Sequence, residues 1–131
     1  MLARVKMLEE NISHLEMLRE KLSLEEVKTD KTKEWALRYG FLETIQIIVD
    51  ISCHLCSKYN LGNPATYSEC IKLLQEFKYL NDELTKALIG MTGLRNLLIH
   101  EYASVDVERL YSLLDNLQDV KTFLLSVKDY V

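Results

Sequence analysis

Residues that interrupt helices are scarce in this sequence, which has one proline, Pro64, and four glycines in 131 positions. Proline removes a backbone donor and glycine costs conformational entropy in regular structure, so long stretches free of both favour uninterrupted helices and leave little room for a turn-rich sheet. Cysteine is also rare. Cys53, Cys56 and Cys70 form an odd set, too few for the framework of a small disulfide-stapled domain, and reduced thiols are the expectation. No apolar run approaches the ~20 residues that span a bilayer, and the first residues form a charged amphipathic pattern without signal-peptide character. A soluble, cytoplasmic chain is expected. Positive charge does not predominate either: 16 Lys and Arg against 20 Asp and Glu leave a net charge of −4. This excludes nucleic-acid binding through bulk electrostatics and leaves only a small local site.

What remains is helical periodicity. The length suits a single domain, residues 1–131, able to bury roughly two thirds of its unfolded surface. Val5, Leu8, Ile12, Leu15, Leu18 and Leu22 recur every three or four positions and predict a first amphipathic helix. Ser23-Leu24-Glu25-Glu26 reads as a capping box opening a short helix. A long helix is predicted from about Asp30 to Tyr59, with Trp35, Leu42, Ile45, Val49, Leu55 and Tyr59 along its inner side. Thr66-Tyr67-Ser68-Glu69, just after Pro64, is a second capping box. The helix it opens uses Ile71, Leu74 and Phe77. The next begins near Asn81 and carries Leu84, Leu88 and Met91, with Gly90 and Gly93 as points where another backbone could approach closely. After a turn at 104–106, a last helix holds Val107, Leu110, Leu114, Leu117 and Leu124. Short connections favour an all-α, antiparallel up-and-down bundle of four to five helices.

The chemistry concentrates in Arg95-Asn96-Leu97-Leu98-Ile99-His100-Glu101-Tyr102. A guanidinium offers a fixed fork of donors matched to phosphate, and imidazole both takes and gives a proton near neutral pH. Together they point to phosphodiester chemistry, Arg95 and His100 being the candidate catalytic pair and Asn96 the group that orients the phosphate or His100. From residue types alone a second reading stays open, in which Arg95 and His100 are polar groups satisfying helix ends and interface carbonyls.

At about 100° per residue, His100 lies about 140° around a regular helix from Arg95, so one chain does not present both on one face. Asn96 and His100, four apart, are neighbours, and Arg95 and Tyr102, seven apart, fall on nearly one line. Leu97, Leu98 and Ile99 point three other ways, so the helix needs cover almost all round, and a second copy across a two-fold axis is the simplest cover. Lys28, Lys31, Lys33 and Arg38 outnumber Asp30 and Glu34, making either a modest basic rim or a solvated helix start. Cys53-His54-Leu55-Cys56 is a lone C-x-x-C inside a predicted helix. Structural zinc needs four ligands, so core packing is the reading here. His14 sits on the polar side of the first helix and receives no role.

The string RNLLIHEY followed by Val105-Asp106 resembles the R-x-x-x-x-H signature of the HEPN superfamily, and more narrowly the HepT-like toxins. Arg95, Asn96, His100, Tyr102, Val105 and Asp106 match their pattern, and the likeness extends to Pro64, Thr66, Tyr67 and the Trp35–Ser57 helix. The resemblance implies a HEPN-like helical homodimer whose composite cleft cleaves RNA, tRNA or mRNA, without metal or cofactor. In that family the tyrosine of His-x-Tyr accepts AMP from a minimal nucleotidyltransferase antitoxin, and the modification silences the toxin. Tyr102 stands at that position. The alternative is a non-catalytic docking or regulatory subunit of the nucleotidyltransferase complex, and a remoter one is a plain oligomerisation module.

Overall fold

The computed structural model describes residues 1–131. The chain forms α1 (Leu2–Lys21), α2 (Leu24–Thr29), α3 (Lys31–Lys58), α4 (Tyr67–Glu76), α5 (Asp82–His100), a 3-10 turn (Tyr102–Ser104), α6 (Val107–Ser112), a second 3-10 turn (Leu113–Asn116) and α7 (Leu117–Val127). Side-chain caps set most of the starts, each accepting an otherwise unpaired backbone N–H. Ser23 and Glu26 close a reciprocal capping box on α2, Asp30 accepts from Thr32 and Lys33, Asn81 accepts from Leu84 at 2.8 Å, and Asp106 opens α6. Thr66 caps α4 by accepting from Glu69 N–H at 3.2 Å, but the Glu69 carboxylate takes the Ala65 N–H instead of that of Thr66.

The 28-residue α3 is the axis. Leu37, Phe41, Ile45, Ile48, Ile51 and Leu55 are all buried, spaced so that one face meets the core throughout. Pairings along the chain give the directions of its neighbours. Arg4 meets Asp50 and Asn11 meets Glu43, so α1 runs against α3. Arg95 meets Gln46, and Arg38 reaches the Tyr102 carbonyl, so α5 does too. Arg19 pairs with Asp115 and Glu16 with Lys121, which sets α7 against α1. These four form the expected up-and-down bundle.

Departures from the sequence reading have local causes. Cys70 lies beside Cys53 and the Tyr79 ring beside Tyr59, so α4 is an added rod running parallel to α3 after a return loop. The parallel run brings the Cys53 and Cys70 Cα atoms to 5.1 Å and joins the two in a disulfide, a separation within the bridging range. The expectation of three reduced thiols fails there, and only the buried Cys56 remains free. Trp35 is 60% exposed because it lies two residues from Leu37, on the far side of α3. Tyr59 and Phe77 also face outward, at the ends of α3 and α4. The last helix is broken at Leu113–Asn116, where Ser, Asp and Asn compete with the backbone for hydrogen bonds. Beside Gly90 and Gly93, nothing in the chain lies within 4 Å of where a Cβ would be. The close approach is instead at Gly40, where a Cβ would meet Leu15 Cδ2 at 3.3 Å.

Candidate active site

Arg95 lies near the C-terminal end of α5, half-buried, and its guanidinium is held on three sides. Nε donates to Gln46 Oε1 of α3 at 2.6 Å, Nη1 donates to Asn96 Oδ1 at 3.0 Å, and the plane lies over the Tyr67 ring at 4.8 Å from its centroid, a cation–π distance. Gln46 is itself oriented, its Nε2 donating at 2.8 Å to Asp50, whose other oxygen accepts from Arg4 at 3.1 Å. All three supports of the guanidinium are neutral. The other half-buried basic residues, Lys33, Arg38 and Lys121, each pair with a carboxylate, whereas no carboxylate lies within 4 Å of the Arg95 guanidinium. A fixed, uncompensated cation with Nη2 left unpartnered is ready for an anion.

The sequence-derived site residues are partly assembled. Arg95 and Asn96 are bonded directly. His100 is the last residue of α5 and exposed, one turn along from Asn96 on the same face and turned away from Arg95, as the angular argument requires. Asn96, Leu97 and His100 lie three, four and seven positions after Gly93, so the four share a face. That face has open space at Gly93 and carries the exposed Asn96 and His100.

Tyr102 departs from the helical projection. Glu101 leaves helical geometry at φ −136°, ψ 46°, α5 ends at His100, and the phenol is no longer carried on the Arg95 line. It projects from the 3-10 turn, 68% exposed. The turn is tied down by its backbone: Arg38 Nη1 donates to the Tyr102 carbonyl at 2.9 Å while Arg38 Nε holds Glu34 at 3.1 Å. The result is a phenol presented to solvent on a fixed support.

The supposed basic rim is neutralised. Lys28 pairs with Glu108, Lys31 and Arg38 with Glu34, and Lys33 with Glu26 and Asp30. Lys33 and Ser23 hold the Glu26 carboxyl below its usual range. Two cavities flank Arg95. One of about 480 Å³ is lined by Pro64–Ser68, Cys53, Cys70, Thr92 and Asn96. The other, about 550 Å³, lies between the start of α1 and the outer side of α3, with Met7, Tyr39, Gln46 and Ile99 in its wall. Gln46 and Asp50 carry no sequence signal, being ordinary helical residues in a helix remote in sequence, and Tyr67 stands in the sequence only as part of a capping box.

The chain matches the family described as Ribonuclease HepT-like over residues 8–127. A tRNA nuclease HepT of Aphanizomenon flos-aquae is 30% identical over 87 residues, 66% of this chain and 59% of that protein. A putative RNase of Archaeoglobus fulgidus is 33% identical over 87 residues, covering 66% and 63%. The match thus spans about three fifths of each of these relatives. Among solved structures, the tri-AMPylated HEPN toxin of Shewanella oneidensis, in complex with its MNT antitoxin, superposes with a TM-score of 0.88 at 20% identity, over 98% of this chain and 96% of that one. YutE of Bacillus subtilis, a cytosolic protein of unknown function, gives 0.81 at 18% identity, over 98% and 88%. At such identities these two likenesses establish the fold.

Proposed function

Because this chain belongs to the HepT-like ribonuclease family, we propose that it is a metal-independent endoribonuclease toxin whose working unit is a homodimer. The observation that carries the reading is Arg95, a half-buried cation held by two amides and an aromatic face with no carboxylate to neutralise it. In the proposed reaction Arg95 holds the scissile phosphate and stabilises its growing charge. A ribose 2′-OH attacks the phosphorus, the 5′-oxygen of the next nucleotide leaves, and a 2′,3′-cyclic phosphate results. His100 acts as general base or acid, and Asn96 keeps the guanidinium in the orientation the phosphate needs.

Geometry and exposure support the homodimer. Arg95 and His100 look in different directions on one α5, and the open face of Gly93, Asn96 and His100 is where a second copy would pack, gathering two His100 and two Asn96 side chains, with the guanidinium that each Asn96 holds at its edge, along one cleft. The relatives supply the context: a HEPN toxin bound to an MNT antitoxin, and a tRNA nuclease. The partner proposed here is a cognate minimal nucleotidyltransferase that transfers AMP to Tyr102. The exposed phenol on its anchored turn supports that assignment. AMP there would set bulk and negative charge beside the cleft.

The test is cleavage of a labelled mixed RNA by unmodified protein in excess EDTA, with a folded, dimeric His100→Ala variant as control. Cleavage by the first alone is the expected result, and cleavage by neither would move the assignment to the docking subunit. For the tyrosine, co-expression with the nucleotidyltransferase is expected to add AMP to the wild type, seen by intact mass. A Tyr102→Phe protein that still takes up the same mass would refute the acceptor assignment.

A further inference from the structure

The Cys53–Cys70 disulfide has no part in the proposed reaction, yet it lies at the site. Both cysteines line the 480 Å³ cavity together with Tyr67 and Asn96, two of the three groups that hold Arg95. Cys70 follows Tyr67 by three positions on α4, so the bridged sulfur and the ring share a face of that helix. At one end of this arrangement is a covalent bond to α3. At the other is an aromatic ring whose centroid lies 4.8 Å from the Arg95 guanidinium.

Little else holds the start of α4. No side chain from Ser57 to Glu69 is buried, so the chain crosses its whole return loop and the first residues of α4 before Cys70 enters the core. The Thr66 cap and the Ala65–Glu69 bond are internal to this stretch and move with it. Its polar ties to the body are the 3.1 Å bond between Ser68 and Thr92 and the Cys56 thiol, which donates to the Cys70 carbonyl at 3.4 Å. Segments with few buried contacts are the first to open locally, and the disulfide is then the main restraint on where the Tyr67 ring stands.

We propose that the Cys53–Cys70 bond is a redox site that controls how firmly Arg95 is held, with a dithiol as its reductant. A thiolate of the dithiol attacks the sulfur of Cys53, the more exposed of the two, and the Cys70 sulfur leaves and takes a proton. The second thiol of the reductant attacks the mixed disulfide and releases Cys53 as a thiol. Two electrons and two protons pass to the protein, and the reductant closes its own disulfide. Cys56 does not intercept the exchange, because burial keeps its thiol protonated and the thiolate is the attacking form. With the bond open, the first turn of α4 loosens, the ring leaves the guanidinium, and Arg95 keeps only its two amide partners. In the thiol-reducing compartments where RNA is made and used, disulfides are mostly transient, catalytic or redox-sensing, which fits a bond that opens and closes. The inference rests on the ribonuclease reading for its effect on cleavage, and not for the movement at Arg95.

The test compares wild type with itself, so its outcome does not hang on the folding of a variant. The protein is oxidised with diamide and then reduced with dithiothreitol, and iodoacetamide added with denaturant should count one free thiol in the first form and three in the second. NMR follows the Arg95 Nε–H signal, which feels the Tyr67 ring, and hydrogen exchange at the Glu69 and Cys70 amides, both bonded to Thr66. Reduction is expected to move the Arg95 signal and to speed exchange at both amides. RNA cleavage is expected to fall about tenfold, the equivalent of losing a partly desolvated cation–π contact. A variant carrying both Cys53→Ala and Cys70→Ala should cut at the reduced rate with or without dithiothreitol. An Arg95 signal and a cleavage rate that are the same in both forms would overturn the redox site and leave the ribonuclease standing, as would three free thiols after oxidation. A signal that moves while neither form cuts RNA would uphold the redox site and remove the ribonuclease reading.

Discussion

In the proposed reaction a single guanidinium carries most of the chemistry, and what would keep it effective is the neutrality of its supports. Gln46 fixes Nε without cancelling the charge, so a Gln46→Leu protein keeps the cation but loses a 2.6 Å bond and leaves a half-buried N–H unpaired. Loss of a bond to a charged group costs about 1.5–3 kcal/mol. We expect kcat/KM for RNA to fall at least about tenfold, with helicity and dimerisation unchanged. Gln46→Glu should raise KM instead, since a carboxylate in that place competes with the phosphate. If both variants cut like wild type, Gln46 does not position Arg95. The proposed site residues, Arg95, Asn96, His100 and Tyr102, are legible in the sequence because they lie within eight positions. Gln46 was not, since its role exists only once α5 is laid against α3. Cys56 offers a second prediction at this scale. Burial pushes its thiol above the ordinary range, so at neutral pH it is protonated and should resist alkylation until the chain unfolds. A raised folded pKa stabilises fully below the unfolded value of ~8.5 and is lost as pH climbs through the folded one. Stability should decline above about pH 8.5, and Cys56→Val, measured by urea unfolding across that range, should remove part of the slope.

At the level of elements, caps and periodicity account for what could be read in advance. Ser23, Asp30, Thr66, Asn81 and Asp106 each open a helix with a side-chain bond, and such residues announce themselves before an apolar repeat. The direction of α4 did not, because nothing local tells a return loop from a tight turn, and the Cys53–Cys70 pairing depends on that direction. The end of α5 was equally silent: Glu101 stops the helix without glycine or proline, and Tyr102 leaves the face that regular geometry assigns to it. Gly93 separates helix stability from assembly. Its surroundings within the chain are empty, so Gly93→Ala should stabilise the isolated helix by about 1 kcal/mol. If a second copy packs there, the added methyl group must weaken that contact. Sedimentation is expected to show weaker dimerisation of the variant, and RNA cleavage to fall with it. A variant that is more stable and as dimeric as wild type would move the interface elsewhere on the molecule.

Under the proposed function the whole molecule would approach RNA as a net anion, with a charge of −4, and the lysines of α2 and the start of α3 are engaged by Glu26, Asp30, Glu34 and Glu108. In the proposed reading the strand is then held above all by the cation at the site itself, one Arg95 from each protomer of the proposed dimer. Each phosphate neutralised on a single strand contributes about −0.7 to the slope of log affinity against log salt. Two such contacts predict a slope near −1.4 by the same rule, far shallower than that of proteins that bind nucleic acid along a basic surface. The measurement is binding of an RNA blocked at the 2′ positions by the unmodified dimer, over a series of salt concentrations. A shallow slope that falls by about half in a heterodimer carrying one Arg95→Gln chain would tie recognition to the two guanidinium groups and leave sequence choice to short-range contacts around them. A steep slope would mean that the ion pairs on α2 and α3 open to meet the strand. Charge at the start of α3, and not the α5 cleft alone, would then decide which RNA is held.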